Sequence, residues 1–189
     1  MLWHLRRAGM RTRSFGYAVT LDGFEAIRRR LVARIATLAA RGDYVLIGHS
    51  LGGVLIRAAV NALPAATPLP KHVFLLGSPH QPARLAQLLG SNPVFRALTR
   101  DCGQLLGSRE RMAAVGAVRV PTTSIVGIGG PARRFTPFPN EPNDGVVSLA
   151  EVSAAWIHDQ VQVASLHTFL PMSQGVARII LQRLALQRA

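Results

Sequence analysis

Cysteine is almost absent: Cys102 is the only one in 189 residues. A single thiol excludes an internal disulfide and any cysteine cluster for zinc or iron–sulfur. Within DCGQLLG it has no activating neighbour, so it reads as a structural thiol rather than a nucleophile. Long apolar runs are lacking as well. None reaches the roughly 18 residues that span a membrane. The N-terminal stretch MLWHLRRAGMRTRSF lacks an apolar core followed by a small-residue cleavage site, so no signal peptide is expected and a cytoplasmic location is. Acidic residues are scarce, 9 against 22 basic ones, which gives a net charge of +13. Lysine is scarcer still, with Lys71 alone. The basic residues are therefore arginines, and they are spread along the chain. The densest group, Arg28, Arg29, Arg30 and Arg34, fits the solvated face of a helix. No nucleic-acid partner is expected on that pattern, although a basic module tested by salt-dependent DNA binding remains a rival reading. Peripheral contact with an anionic lipid surface is left open.

What is present is a large apolar fraction, 49 % of the residues. A chain of this size and composition folds as a single globular domain, 1–189. Residues 2–9 read as a short helix ending at Gly9, and Thr12–Tyr17 as a strand. Asp22 is placed to cap a helix from Phe24 that puts Phe24, Ile27, Leu31, Ile35 and Leu38 on one face. Tyr44–Ile47 is a short apolar strand, and Leu51–Leu63 a helix stopped by Pro64. His72–Leu76 and Thr122–Ile128 are further buried strands. A proline-rich loop follows, then a last strand at Gln160–Ala164. An amphipathic helix closes the chain at about Ser173–Arg188. Strands that are apolar throughout and alternate with helices predict an α/β fold, a mostly parallel sheet with helices on both faces. Residues 82–118 break the rhythm with short apolar helical pieces and no strand, as a helical cap inserted between two strands would. Its Leu85, Leu88, Leu89, Val94, Phe95 and Leu98 would suit an apolar group or simply pack on the domain.

One stretch concentrates chemistry. In YVLIGHSLGGVLIRAAV, Gly48-His49-Ser50-Leu51-Gly52 fits G-x-S-x-G between a predicted strand and a predicted helix. A serine on so sharp a turn stands exposed on strained backbone. The helix beneath it presents N–H groups, that of Leu51 first, and a positive dipole to a developing oxyanion. Serine needs a base, and six histidines are available. His49 sits within the turn, His72 begins a strand at the far edge of the sheet, and His4 precedes the first strand. His158 precedes the last strand. His80 follows a strand end and, with His49, is a candidate to line a substrate pocket. His167, in VQVASLHTFLP, follows the last strand and reaches the carboxyl edge where Ser50 lies. The base needs an orienting carboxylate. Asp144, in the PNDGVVS turn, is best placed and Glu141 is the fallback. Asp101 lies in the insertion and Asp159 at the start of a strand.

These pieces together, GHSLGG at 48–53, PNDGVVS at 142–148 and SLHTFL at 165–170, resemble the α/β-hydrolase superfamily, in particular its bacterial lipase- and esterase-like members. The GSP at 77–79 and the order serine, aspartate, histidine are similar too, and the likeness runs over essentially the whole chain. The resemblance implies Ser50 as nucleophile, His167 as general base and acid, Asp144 as orienting acid and the Leu51 N–H as one oxyanion donor. It implies hydrolysis of carboxylic esters, small-molecule or lipid, through an acyl-enzyme. An acyltransferase or thioesterase with the same triad and a catalytically impaired truncated hydrolase are the alternatives. No cofactor and no metal are expected, since no carboxylate cluster suits calcium. In the family an apolar strand ending in a His-Gly loop stands before the first helix and donates the second oxyanion N–H. This sequence opens at that helix, so an N-terminally truncated version of the fold is expected. Absence of that donor would cost on the order of 3 kcal/mol in the transition state.

Overall fold

A computed structural model describes residues 1–132, 134 and 136–186. Four strands form one parallel sheet in sequence order: β1 (Val45–His49), β2 (His72–Leu76), β3 (Thr122–Gly127) and β4 (Asp159–Val163). The helices are α1 (Leu2–Arg7), α2 (Phe24–Ala39), α3 (Leu51–Val60), α4 (Arg84–Leu89), α5 (Pro93–Gly107), α6 (Arg109–Val115) and α7 (Gln174–Leu186). A 3₁₀ turn, His167–Met172, joins β4 to α7. The expected α/β architecture is therefore present, and Arg188 of the expected last helix lies outside the described residues.

Alternation along the buried strands assigns each side chain to one of two layers. Val73 and Leu75 of β2 enter a core with Ile27, Leu31 and Ile35 of α2 and Val54 and Leu55 of α3. Phe74 and Leu76 enter the opposite core with Leu5 of α1 and Val176, Ile180 and Leu184 of α7. All five residues of β2 and all six of β3 are buried, which is why they read as unbroken apolar or small runs. No helix is long and apolar enough to cross a membrane, among the described residues.

The 82–118 insertion is helical and without a strand, α4 to α6. Cys102, Leu105, Met112 and Val115 pack into the α2–α3 core. Burial there pushes the Cys102 thiol up to about 11, so little thiolate is available near neutrality. Leu88, Leu89, Val94 and Leu98 are exposed, and Leu85 and Phe95 are half-buried.

Two local expectations need correction. Thr12–Tyr17 forms no strand; residues 11–18 lie in irregular structure. The residues have strand-like character, but a strand exists only when bonded to a partner edge, and residues 11–17 make no backbone–backbone bond among the described residues. Asp22 does not cap α2. Gly23 occupies the N-cap without a side-chain bond. The Phe24 N–H instead donates to Asp101 Oδ2 of α5 at 2.9 Å, while Asp22 pairs with Arg30 at 2.6 Å.

Candidate active site

Parallel strands present their C-terminal ends together, and the segments that leave those ends carry Ser50, Gly77, Asp144 and His167. Ser50 follows β1 directly and has φ 53° and ψ −126°. For a residue with a Cβ this left-handed region costs of order 1–3 kcal/mol. The surroundings hold it there. The Ser50 N–H donates to the Leu76 carbonyl at 2.9 Å, and its carbonyl accepts from the Gly53 N–H at 3.0 Å. The turn is so tight that a Cβ on Gly48 would stand 2.6 Å from Gly53 Cα, a backbone atom that cannot give way. Leu51 is the first residue of α3, so its N–H has no carbonyl one turn earlier within the helix and is available above the turn.

Asp144 lies in the long β3–β4 connection and is almost wholly buried, 1 % exposed. Its Oδ1 accepts the N–H groups of Val146 (2.9 Å) and Val147 (2.8 Å), and its N–H donates to the Val147 carbonyl. The Asn-Asp-Gly turn makes this possible: Asn143 Oδ1 accepts the Gly145 N–H at 2.9 Å, and Gly145 takes φ +94°. The other carboxylate oxygen, Oδ2, is thereby aimed at His167 Nδ1, 2.7 Å away.

His167 is fastened at three points. Its N–H donates to the Asp144 carbonyl at 2.9 Å. Its ring Nδ1 bonds Asp144 Oδ2. Its own carbonyl accepts from His49 Nε2 at 3.0 Å. A carboxylate accepts only, so the Nδ1 proton belongs to the ring and Nε2 is left with its lone pair. The same logic puts the His49 proton on Nε2. Burial, and then the neighbouring His167, hold His49 below the usual histidine range, which favours its neutral form. The two rings lie 4.6 Å apart. No hydrogen bond joins Ser50 Oγ to His167 among the described residues; in a free site such a bond is often long and tightens with substrate.

Gly77, at the end of β2 with φ +51°, forms the floor of the Asp144–His167 pair. A Cβ there would come 2.9 Å from Asp144 Oδ2 and 3.0 Å from His167 Nδ1. Three further carboxylates between Ser50 and His167 are engaged elsewhere. Glu141 pairs with Arg84 at 2.9 Å, Asp101 with Arg111 at 2.7 Å, and Asp159 with Arg183 at 2.7 Å. Glu141, the fallback acid, is therefore not the carboxylate that meets His167. Buried Glu151, which spacing did not single out, accepts the Ser148 N–H at 2.6 Å and braces the loop that presents Asp144.

The two histidines expected to line a pocket differ. His49 is half-buried at the wall of a cleft, but its Nε2 is spent on His167. His80 is buried, edge-on to Trp156, and neither ring nitrogen has a partner among the described residues. Burial and the nearby Arg57 guanidinium push its pKa down to about 3. Arg57 is itself buried, bonded to the Gly116 and Pro79 carbonyls and lying over Trp156. No group of three or more metal-binding side chains occurs among the described residues.

No protein-family model and no curated protein sequence matches the chain. Solved structures do. Tomato methylketone synthase I, complexed with 2-tridecanone, superposes with a TM-score of 0.63 at 14 % identity, over 97 % of this chain and 90 % of that one. The mature lipase BlEst2 of Bacillus licheniformis gives 0.58 at 16 % identity, over 80 % and 74 %. Phospholipase PlaB of Legionella pneumophila gives 0.58 at 16 % identity, over 80 % of this chain and 39 % of its own. With its parallel sheet, its strained serine turn after a strand and these structural neighbours, the chain has the fold of the α/β-hydrolase superfamily.

Proposed function

We propose that the chain is a serine hydrolase of carboxylic esters, with Ser50 as nucleophile, His167 as general base and acid, and Asp144 as the orienting acid. The observation that carries this reading is the buried His167–Asp144 pair, 2.7 Å long, at the same sheet edge as the strained Ser50 turn. His49, the neighbour of Ser50, bonds the backbone of His167, which keeps nucleophile and base close.

In the proposed cycle Ser50 Oγ attacks the ester carbonyl carbon while its proton passes to His167 Nε2. Negative charge gathers on the carbonyl oxygen, where the Leu51 N–H stabilises it. The imidazolium is stabilised by Asp144 and returns its proton to the departing alkoxide, leaving an acyl-enzyme. Water, deprotonated by His167, then attacks the acyl carbon and releases acid and free Ser50.

An apolar acyl group is favoured. Leu166, Phe169 and Met172, on and beside the turn that carries His167, are exposed, as is Val146 two residues after Asp144. An acyl chain would cover them at about 25 cal/mol per Å² of apolar area removed from water. The lipase and phospholipase among the structural neighbours accord with this substrate class. p-Nitrophenyl esters of increasing chain length test the reading. We expect kcat/KM to rise from acetate to octanoate and to vanish in Ser50→Ala. Equal hydrolysis by wild type and Ser50→Ala would exclude it. Turnover of thioesters alone, or acyl transfer to an added alcohol in preference to water, would move the assignment to a thioesterase or acyltransferase with the same residues.

A further inference from the structure

Asp144 sits in a turn whose two feet, Asn143 and Ser148, meet in an isolated antiparallel bridge. The turn belongs to the β3–β4 connection, which has no helix or strand of its own among the described residues. Val147 and Val152 pack with Val126 of β3 and hold it down, but apolar packing is not directional. Two glutamates, one on each side of Asp144, add direction. Glu141 serves the first foot: its carbonyl accepts from Asn143 Nδ2 at 2.9 Å. Glu151 serves the second: its Oε2 accepts the Ser148 N–H at 2.6 Å.

Both glutamates end on one residue of the 82–118 insertion, Arg84, the first of α4. The Arg84 N–H donates to Glu151 Oε1 at 2.5 Å. Its guanidinium forks onto Glu141, with Nη1 to Oε1 at 3.1 Å and Nη2 to Oε2 at 2.9 Å. Nη1 also donates to the Pro137 carbonyl at 3.1 Å, and the guanidinium lies over the ring of buried Phe138. A planar two-point grip fixes direction as well as distance, which a lysine would not do. The two side chains are 36 % and 37 % exposed, so the pair adds little to overall stability. Its effect on where the turn stands is a separate matter. A displacement of about 1 Å in a catalytic group can cost on the order of 100-fold in rate.

We infer that Arg84 is a positioning residue: by gripping Glu141 and Glu151 it sets the Asp144 carboxylate against His167, and so mounts the acid on the helical insertion as well as on the sheet. The insertion thereby does more than cover the domain. Its first helix is one of the supports of the histidine–aspartate pair. Arg84 affects turnover in this way only if Ser50, His167 and Asp144 act as proposed above, whereas its hold on the His167–Asp144 bond is measurable without any turnover.

The test compares Arg84→Met, which keeps an apolar stem over Phe138 and removes the fork, with Glu141→Gln, which leaves Arg84 in place and reads the same link should Arg84→Met fail to fold. The control is Arg111→Met, which breaks the similarly exposed Arg111–Asp101 pair of the same insertion. For a p-nitrophenyl ester, kcat should fall about tenfold in both test variants with KM within about twofold of wild type. The double variant should lose no more than the worse single one. A facing carboxylate favours the charged imidazole, so a displaced Asp144 should move the acid limb of the kcat/KM profile to lower pH. The proton between His167 Nδ1 and Asp144 resonates far downfield by NMR, and its signal should shift or vanish in the two test variants alone. Unchanged kcat, limb and resonance in the folded variants would overturn the assignment of Arg84. So would equal changes in Arg111→Met, or a lowered Tm with neither a kinetic nor a spectral change. A wild type that hydrolyses no ester, with a resonance still dependent on Arg84, would remove the hydrolase reading and support the positioning role.

Discussion

The two flanks of β1 are built to different standards. Toward β2, each part supports the next: the β1–β2 ladder fixes the Ser50 turn, Gly77 floors the histidine–aspartate pair, and Asp144 has both carboxylate oxygens engaged. Away from β2, the peptide groups of Val45, Ile47 and His49 have no backbone partner among the described residues and border a cleft. The three residues proposed as nucleophile, base and acid all leave strands or connections of the completed side. What the open flank governs is how firmly β1 is held and what approaches Ser50 from that direction.

The sharpest way to break the completed flank is Asp144→Asn. An amide can offer its N–H₂ to Nδ1 and stabilise the wrong tautomer, so kcat/KM should fall on the order of 10⁴-fold while the folded state persists. Steady-state ester kinetics beside a thermal unfolding curve will show whether the two separate. Gly77→Ala comes next. Its new methyl meets Asp144 Oδ2 and His167 Nδ1 at about 3 Å, on backbone at φ +51° that alanine resists. We expect activity to drop by about 10- to 100-fold through displacement of the pair, with a loss of about 1–3 kcal/mol in stability. Unchanged kcat in a folded Gly77→Ala protein would show that the floor does not position the base.

The smallest effect is one of pH. His80 is buried, neither ring nitrogen has a partner among the described residues, and its folded pKa of about 3 lies below the ordinary value of 6.5. The unfolded chain therefore takes up its proton first as pH falls. The stability is full above pH 6.5 and is lost as pH falls toward 3. At pH 5, some 1.5 units below 6.5, the loss is about 2 kcal/mol. Neutral His49 acts in the same direction. Denaturant unfolding at pH 7 and pH 5 should show this slope in wild type and most of it gone in His80→Gln. An identical slope in the variant would remove His80 as its source.

Much of the completed flank was legible in the sequence. The serine turn, the Asn-Asp-Gly turn and the histidine after the last strand are local signals, each set by residues within a few positions of one another. What residues 12–17 would pair with was not legible, because pairing is decided at a distance. Thr12–Tyr17 carries strand-forming residues but makes no backbone–backbone bond among the described residues. Likewise α2 takes its capping acceptor from Asp101, 77 residues on, rather than from adjacent Asp22. His49 invited a substrate-facing reading, yet its ring reaches across 118 residues to hold His167. Spacing along the chain carries no trace of such contacts.

Ser50 is proposed to be a nucleophile activated by His167 and Asp144. Labelling with a fluorophosphonate, followed by mapping of the modified residue by mass spectrometry, tests it most directly. One adduct is expected, on Ser50, absent in Ser50→Ala and formed far more slowly in His167→Ala and Asp144→Asn. An adduct on another residue, or labelling of Ser50 at the same rate in all the folded histidine and aspartate variants, would contradict it.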